Sequence, residues 1–379
     1  MPSMNERIPV SILTGFLGAG KSTLLNRILK DPAMRDAAVI INEFGEVGID
    51  HMLVESSNDA IIELADGCLC CTVRGELVDT LAALVDGMQT GKIRPVSRVV
   101  IETTGLADPA PVMQSVMGHP VIASCFDLEG VVTVVDAVNG LSTLDNFPEA
   151  VRQVAVADRL VLTKASLASA ERLPELQSRL ATLNPRAPIA DGDHGEVGTA
   201  ALFFNGLYDP VTKIPDVDRW LSGETAEHSH AHGHHDGHDH SHHHDAHHHD
   251  VNRHGESIRS YSIVHDGPIN PASLEMFVDL LRSAHGEKLL RMKAIVRTTD
   301  QPDRPLVLHG VQAIFHPPYR LPSWPDPNDR RTRLVVIARD LPETYVRELF
   351  DAFTGKPQID RPDRAALEDN PLAIPGMRM

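Results

Sequence analysis

Apolar and polar positions alternate with two different periods along residues 1–222. Short runs rich in Val and Ile predict buried strands, and each is followed by a turn residue or by the spacing of an amphipathic helix, as at 21–30 and 74–88. This alternation predicts an α/β fold in which a mainly parallel sheet carries helices on both faces. The predicted strands are residues 10–15, 37–45, 98–105, 130–137 and 159–165.

The apolar pattern stops at residues 223–256. Thirteen of the 21 histidines lie between positions 228 and 249, among Asp, Gly and Ser. A segment with so few apolar side chains cannot form a core, so we predict a disordered linker. Its imidazoles are candidate ligands that would collect metal ions near a second site, although a solvated spacer has the same composition. The candidates are His234, His235, His242, His243 and His244.

Strand and helix patterns return at residues 257–356, where several apolar runs have period two. They predict a second, smaller α+β domain. Residues 357–379 lack such patterns and are predicted to form a tail. The predicted strands of the second domain are residues 257–269, 288–300, 305–316 and 330–340, and its predicted helices are residues 271–285 and 342–354.

Composition narrows the function classes. A net charge of −17 with 4% aromatic residues argues against nucleic acid as a partner, because such binding needs clustered Lys and Arg and stacking side chains. No run of about 18 apolar residues is present, so no membrane-spanning segment is expected. The first residues lack an apolar segment with a small-residue cleavage site, and we expect the chain in the cytoplasm.

The sequence GFLGAGKST, residues 15–23, matches the pattern G-x-x-x-x-G-K-[ST] between a predicted strand and a predicted helix. Its glycines let successive backbone N–H groups face a polyphosphate at the positive end of the helix. Lys21 is expected to reach the β- and γ-phosphates, and the Ser22 hydroxyl to ligate Mg²⁺. The predicted nucleotide-binding residues are Gly15, Gly18, Ala19, Gly20, Lys21, Ser22 and Thr23.

Two further segments are expected at the same edge of the sheet. Glu102 ends an apolar run and is expected to hold Mg²⁺ or orient the attacking water, while Gly105 approaches the γ-phosphate. With Lys21, these are the predicted catalytic residues. The segment 42–50 follows another strand, as expected for a loop that senses the nucleotide, although a solvated acidic loop looks the same. Its polar residues are Asn42, Glu43, Glu46 and Asp50.

Three of the four cysteines, Cys68, Cys70 and Cys71, fall within four positions. Thiolates select soft ions such as Zn²⁺, and three of them leave the fourth tetrahedral position for a labile ligand, which suits metal exchange. The same residues could instead form a redox pair with a resolving thiol. Cys125 lies in an apolar stretch and is expected in the core, while His119 is a candidate for the missing metal ligand.

Together, LTGFLGAGKSTLLN, INEFGEVGID, ELADGCLCCTVRGEL and IETTGLADP resemble the CobW-type metallochaperone GTPases, relatives of the urease and hydrogenase nickel-insertion GTPases. The resemblance covers nearly the whole chain, including the His-rich linker and a C-terminal domain ending near WPDPNDRRTRLVVIARD. It implies a P-loop GTPase domain whose Cys-x-Cys-Cys motif binds Zn²⁺ or Co²⁺. It also implies that GTP hydrolysis drives transfer of the ion to a client metalloprotein, and it makes Glu46 and His119 additional candidates near the metal.

One position departs from the family pattern. The guanine-reading motif of such GTPases is Asn-Lys-x-Asp or Thr-Lys-x-Asp, whereas here Thr163 and Lys164 are followed by Ser166. The resemblance implies that Thr163 and Lys164 bind the nucleotide, but a serine is a poor bidentate acceptor for the guanine ring. GTP is still the expected nucleotide.

The same residues also fit other functions. Thiols and imidazoles accept Co²⁺ as well as Zn²⁺, so a cobalt-handling protein of cobalamin synthesis would carry the same residues. A passive zinc buffer with a vestigial nucleotide site, and an ATP-dependent kinase, are the alternatives from other classes. The client protein and any homo-oligomer are open as well.

Overall fold

Seven parallel strands form the first sheet in the part of the chain that the structure describes. The computed structural model describes residues 7–42, 61–63, 72–193, 202–203 and 258–355. The strands are β1 (Ile8–Gly15), β2 (Ala37–Asn42), β3 (Ile61–Glu63), β4 (Arg98–Thr103), β5 (Phe126–Asp136), β6 (Arg159–Thr163) and β7 (Ile189–Asp191). Their order is β3-β2-β4-β1-β5-β6-β7, and every neighbouring pair is parallel. The parallel sheet predicted from the sequence is confirmed.

Helices cover both faces of this sheet. They are α1 (Lys21–Leu29), α2 (Thr72–Gln89), α3 (Ala110–Gly118), α4 (Pro120–Cys125), α5 (Gly140–Asn146), α6 (Pro148–Ala155) and α7 (Arg172–Leu183). Successive strand side chains point to opposite faces. Ile12 of β1 therefore packs in the cluster with α2 and α3, and its neighbour Leu13 packs in the cluster with α1.

A second, antiparallel sheet follows in residues 258–355. Its strands are β8 (Ile258–His265), β9 (Leu289–Val296), β10 (Leu306–Val311), β11 (Ile314–Phe315), β12 (Tyr319–Arg320) and β13 (Thr332–Arg339), in the order β11-β10-β9-β13-β8 with β12 beside β10. Two helices, α8 (Pro271–His285) and α9 (Glu343–Phe353), pack on one face of it. The predicted separate α+β domain is confirmed.

The single strand predicted over 305–316 is wrong. The chain turns there, so that β10 and β11 pair as an antiparallel hairpin. Gln312 lies in the turn with a φ of 54°, a left-handed conformation that an extended strand does not contain. The apolar run hid the turn because Val311 and Ile314 pair across it, with apolar side chains on both sides.

The two domains share one buried apolar cluster. Residues of α2, α3 and β1 pack in it with Leu290 of β9, Val311 of β10 and Ile337 of β13. The second sheet therefore covers the first domain with one face, while α8 and α9 cover its other face. Burial of apolar surface from both domains in one cluster favours a fixed arrangement of the two over independent motion.

Charged groups reinforce this contact at the amino edge of the parallel sheet. Asp158, which precedes β6, accepts hydrogen bonds from Arg291 Nη2 at 2.6 Å and from Lys293 Nζ, both on β9. The Arg291 guanidinium also donates to the carbonyl of Val156. The second domain thus lies at the amino edge of the sheet. Parallel sheets bind ligands at the opposite edge, at the carboxyl ends of their strands.

None of the helices in the described ranges combines the length and the apolar character needed to cross a membrane.

Candidate nucleotide-binding site

The loop between β1 and α1 has the backbone of a phosphate cradle. Gly15, Gly18 and Gly20 all have positive φ, at 144°, 73° and 90°. A Cβ at Gly15 would lie 2.3 Å from the Val134 carbonyl oxygen, so no other residue fits there. Because α1 begins directly after Gly20, its first N–H groups and positive dipole end face the loop.

Lys21 and Ser22 open α1 and point their polar groups toward this loop and its neighbour strand. Lys21 Nζ donates to the carbonyl of Gly15 at 3.0 Å, and only 8% of the residue is exposed. Ser22 Oγ donates to Glu102 Oε1 at 3.1 Å. Glu102 is brought there by strand pairing, because β4 lies beside β1 with Glu102 opposite Leu13.

The oxygens of Ser22 and Glu102 form the donor set that a hard cation takes. A hydroxyl and a carboxylate beside a phosphate loop are the ligands of Mg²⁺ in P-loop proteins. Glu102 is 4% exposed, so its charge is shielded from water and would act strongly on an ion there. The residues present therefore fit a magnesium ion.

Gly105 follows Glu102 by three positions and packs directly against the backbone of Leu17 in the phosphate loop. The buried side chain of Gln153 on α6 holds the loop that contains Gly105, and Gln153 is only 1% exposed. Gln153 Nε2 donates to the carbonyls of Gly105 at 3.2 Å and Ala107 at 3.0 Å. A single amide thus joins α6 to the segment that adjoins the phosphate loop.

Thr163 and Lys164 reach the phosphate loop from β6. Thr163 Oγ1 donates to the carbonyl of Ala19 at 2.7 Å, and Lys164 Nζ donates to the carbonyl of Gly18 at 2.8 Å. Lys164 has a φ of 57°, which turns the chain sharply after the strand. The structure therefore joins both predicted residues to the P-loop.

A salt bridge orients Lys164. Its Nζ lies 2.8 Å from Asp136 Oδ2, at the end of β5. Burial raises the pKa of Asp136, but hydrogen bonds from Lys164, Asn139 and the Val138 N–H outweigh it and hold the pKa below its ordinary value. Asp136 stays ionised and keeps the lysine side chain beside the loop.

Two residues of this edge, one buried in a helix and one in a loop, carry no sequence motif that would predict their role. Gln153 lies in an ordinary amphipathic helix, and only the fold shows that it reaches Gly105. Asp193 follows β7 and accepts hydrogen bonds from Ser166 and from the Lys164 N–H. Since β7 has three residues, no periodic pattern marks its end.

Most of the candidate metal-binding residues lie outside the part of the chain that the structure describes. Asn42 ends β2 opposite Thr103 of β4, at the same edge as Glu102. The other polar residues of the segment 42–50, the three clustered cysteines and the linker histidines lie outside the described residues: Glu43, Glu46, Asp50, Cys68, Cys70, Cys71, His234, His235, His242, His243 and His244. Within the described ranges, no group of three or more His, Cys, Asp or Glu side chains is placed to hold a metal ion.

His119 and Cys125 lie away from the P-loop. His119 is exposed in the link between α3 and α4, the crossover that returns the chain to the amino end of β5. The neighbouring Gly118 lies against Ile314 of the second domain. The structure therefore does not bring His119 to Glu102. Cys125 is half-buried and packs against the shared apolar cluster, close to the predicted core position.

Comparison with known proteins fits this geometry. Residues 9–191 match the CobW/HypB/UreG nucleotide-binding domain, and residues 258–354 match the cobalamin synthesis protein cobW C-terminal domain. Zinc chaperone YjiA of Escherichia coli K12 is 35% identical over 345 residues, which cover 90% of this chain and 98% of that protein. The chain belongs to the CobW/HypB/UreG family. The resemblance stated from its motifs is confirmed.

Other members of the CobW/HypB/UreG family match over similar lengths. Zinc chaperone CobW of Pseudomonas aeruginosa is 31% identical over 372 residues, covering 90% of each chain. The crystal structure of the Zn(II)-bound YjiA GTPase from Escherichia coli superposes with a TM-score of 0.62 at 28% identity, covering 92% of this chain and 99% of that one. Both domains of this chain therefore occur together in a solved family structure.

Proposed function

We propose that this protein is a GTP-hydrolysing metallochaperone that binds Zn²⁺ through Cys68, Cys70 and Cys71 and delivers it to client metalloproteins. The observation that carries the proposal is the hydrogen bond between Ser22 and Glu102 at a formed phosphate loop, in a chain whose relatives are named zinc chaperones. A vestigial nucleotide site would have no need to keep this donor set. The cytoplasm suits the proposal, because thiols stay reduced there.

In this scheme the phosphate loop binds GTP and its neighbours act on the γ-phosphate. Lys21 leaves the Gly15 carbonyl and neutralises charge on the β- and γ-oxygens. Ser22 and Glu102 would hold Mg²⁺, which when bound neutralises charge on the same phosphates. The Gly105 N–H donates to the γ-phosphate, and Gln153 keeps that segment in position.

The proposed zinc segment starts beside these groups. Strand pairing sets Glu63, Ile41 and Glu102 in one row across β3, β2 and β4. With strands ~4.8 Å apart, Glu63 lies roughly 10 Å from Glu102. The segment with the three cysteines runs between Glu63, which ends β3, and α2, which starts at Thr72.

This placement supports coupling between nucleotide and zinc. A segment anchored two strands from Glu102 is close enough for its arrangement to differ when the γ-phosphate is present. Zinc would then be held in one nucleotide state and released to the client in the other. Such coupling is reciprocal: zinc must change GTP affinity by the factor by which GTP changes zinc affinity.

The remaining parts of the chain are proposed to serve delivery. We assign residues 1–222 to the GTPase domain, 223–256 to a His-rich linker that collects metal ions, 257–356 to the C-terminal domain and 357–379 to a tail. Tethered imidazoles raise the local metal concentration beside the thiols. Deleting 228–249 should weaken metal delivery when zinc is scarce and leave GTP turnover intact.

The test compares metal content and GTP turnover in three proteins: wild type, Lys21→Ala, and a Cys68→Ser, Cys70→Ser, Cys71→Ser triple variant. We expect Lys21→Ala to lose turnover. The triple variant should hold at least one fewer zinc and should lose the response of turnover to added zinc. Undetectable GTP turnover in the wild type would favour the passive zinc buffer and overturn the proposal.

Cobalt handling is the second candidate, favoured by one observation. The C-terminal domain matches a family whose description names a cobalamin synthesis protein. Thiols and imidazoles bind both ions, and zinc binds more tightly to most such sites than cobalt does. Competition titrations of Zn²⁺ against Co²⁺ with GTP present distinguish the two functions. Tighter binding of Co²⁺ than of Zn²⁺ would favour the cobalt function.

A further inference from the structure

A carboxylate stands beside the position where the family pattern has its guanine-reading Asp. Asp193 Oδ1 accepts a hydrogen bond from the Lys164 N–H at 2.7 Å. Its Oδ2 accepts from the N–H and from the hydroxyl of Ser166, each at 3.1 Å. Position 166 lacks the acid, and the loop after β7 supplies one to the same turn.

The turn lies where a purine attached to P-loop phosphates would reach. β6 is two strands from β1, roughly 10 Å at the usual spacing. Lys164 joins the two elements, because its Nζ contacts the Gly18 carbonyl of the phosphate loop. Its side chain is 39% exposed and can lie along the face of a ring. Asp193 is itself exposed at the carboxyl edge, where parallel sheets bind ligands.

Neighbouring carboxylates are committed to other partners. Asp136 is only 9% exposed and is bound by Lys164, by the Asn139 side chain and by two backbone N–H groups, so a base edge has little access to it. Asp191 Oδ1 accepts the N–H of Asp193 at 2.8 Å and so helps to orient that loop. Of the acids that the structure describes in these loops, Asp193 is the one bound by Ser166.

We propose that Asp193 is the residue that selects guanine, and that Ser166 positions it. The Asp193 carboxylate accepts hydrogen bonds from N1–H and from the 2-amino group of the base. The Ser166 hydroxyl rotates away and frees the lone pair of Asp193 Oδ2 to which it now donates. This inference rests on the proposed GTPase function. In this arrangement the loop after β7 supplies the acid, and the loop after β6 supplies the hydroxyl that holds it.

The groups around Asp193 keep its carboxylate ionised. Burial raises its pKa, but the hydrogen bonds from Ser166, Lys164 and Ala165 together outweigh burial and hold the pKa below its ordinary value. An ionised carboxylate is a strong acceptor for two N–H donors side by side. Adenine presents an unprotonated N1 at this edge, so two acceptors would face each other and ATP would be disfavoured.

The test is an Asp193→Asn variant of the full-length chain, with binding measured for GTP and for xanthosine triphosphate. Xanthine has a carbonyl in place of the 2-amino group. An asparagine amide can donate to that carbonyl and accept from N1–H. We expect GTP affinity to fall about 10- to 100-fold, the loss of a charge-assisted hydrogen bond. Affinity for xanthosine triphosphate should rise above that of the wild type.

Two controls make the outcome decisive. Asp303→Asn, at an exposed salt bridge of the second domain, should leave both affinities unchanged. Adding Ser166→Asp to the Asp193→Asn variant should restore GTP binding by returning the acid to the family position. Equal weakening of both nucleotides would mean that Asp193 only supports the turn, and would overturn the inference. Wild-type GTP turnover with unchanged GTP affinity in Asp193→Asn would refute the inference and leave the proposed function standing.

Discussion

Gly105 lies so close to Leu17 that a Cβ at position 105 would stand 2.5 Å from the Leu17 backbone nitrogen. Real Cβ atoms do not approach backbone so closely, and backbone cannot rotate away as a side chain can. Two segments distant in sequence, the phosphate loop and the loop after Glu102, are therefore in direct contact at this glycine.

Gly105→Ala should separate these two loops. We expect GTP turnover to fall about 100-fold, as for loss of one backbone donor to the developing charge. Gly75→Ala is the matched control: Gly75 lies in α2 with open space around its Cβ position. That variant should keep full turnover and gain about 0.5–1 kcal/mol of helix stability. Equal turnover in both variants would contradict the role assigned to the contact.

Gln153→Leu should loosen the segment that carries Gly105. The substitution leaves the carbonyls of Gly105 and Ala107 buried without the donor that serves them now. We expect kcat to fall at least tenfold with a smaller change in KM, because the loop acts on the γ-phosphate more than on binding. Gln177→Leu, at an exposed position of α7, is the control. A change in KM alone would show that Gln153 serves binding instead.

Asp158→Asn should weaken the junction between the domains. The carboxylate is nearly buried and pairs with both Arg291 and Lys293, so the substitution removes a negative charge that two largely buried cations share. We expect about 3–5 kcal/mol of lost unfolding free energy, measured by denaturant titration. Asp279→Asn removes an exposed ion pair with Arg282 and should cost at most about 1 kcal/mol. Similar losses in the two variants would contradict a buried electrostatic junction.

His309 should make stability depend on pH. Burial, then the charges of Arg291 and Lys293, and also His316, lower its pKa well below the ordinary value, while Asp158 opposes them. The folded chain therefore keeps His309 neutral at a pH where the unfolded chain has protonated it. Its contribution to stability is complete above about pH 6.5 and declines as pH falls below that value.

His309→Gln tests this sign. Below pH 6.5, the unfolding free energy of the variant should decline less steeply than that of the wild type, by up to about 1.4 kcal/mol per pH unit. Denaturant titrations at pH 7.5 and pH 5.5 measure it, and the difference between wild type and variant removes the effect of the other histidines. An identical pH dependence in both proteins would contradict a lowered pKa of His309 in the folded chain.

Elements with long apolar runs could be predicted from the sequence. The cores of β1, β4, β5 and β6 were found because each is a run of apolar residues buried on both faces. Short elements gave no such signal: β3 and β7 have three residues each and β12 has two. Their pairing depends on strands far away in the chain, which no local pattern encodes.

The candidate site divides in the same way. Lys21 and Ser22 belong to a motif with fixed spacing and Glu102 ends a strongly apolar strand, so their meeting could be predicted. The contacts of Gln153 with Gly105 and of Asp193 with Ser166 span 48 and 27 positions and follow only from helix and strand placement. Ser166 itself was a departure from the motif, and its partner became visible only in the folded chain.

The central claim is that the presence of a γ-phosphate changes how tightly zinc is held. The direct measurement is the zinc affinity of the full-length chain with GDP and with a non-hydrolysable GTP analogue, repeated in the Cys68→Ser, Cys70→Ser, Cys71→Ser variant. We predict a difference of 5-fold or more between the two nucleotides in the wild type, the usual range of coupling between sites, and no difference in the variant. Equal zinc affinities of the wild type in both nucleotide states would contradict the account.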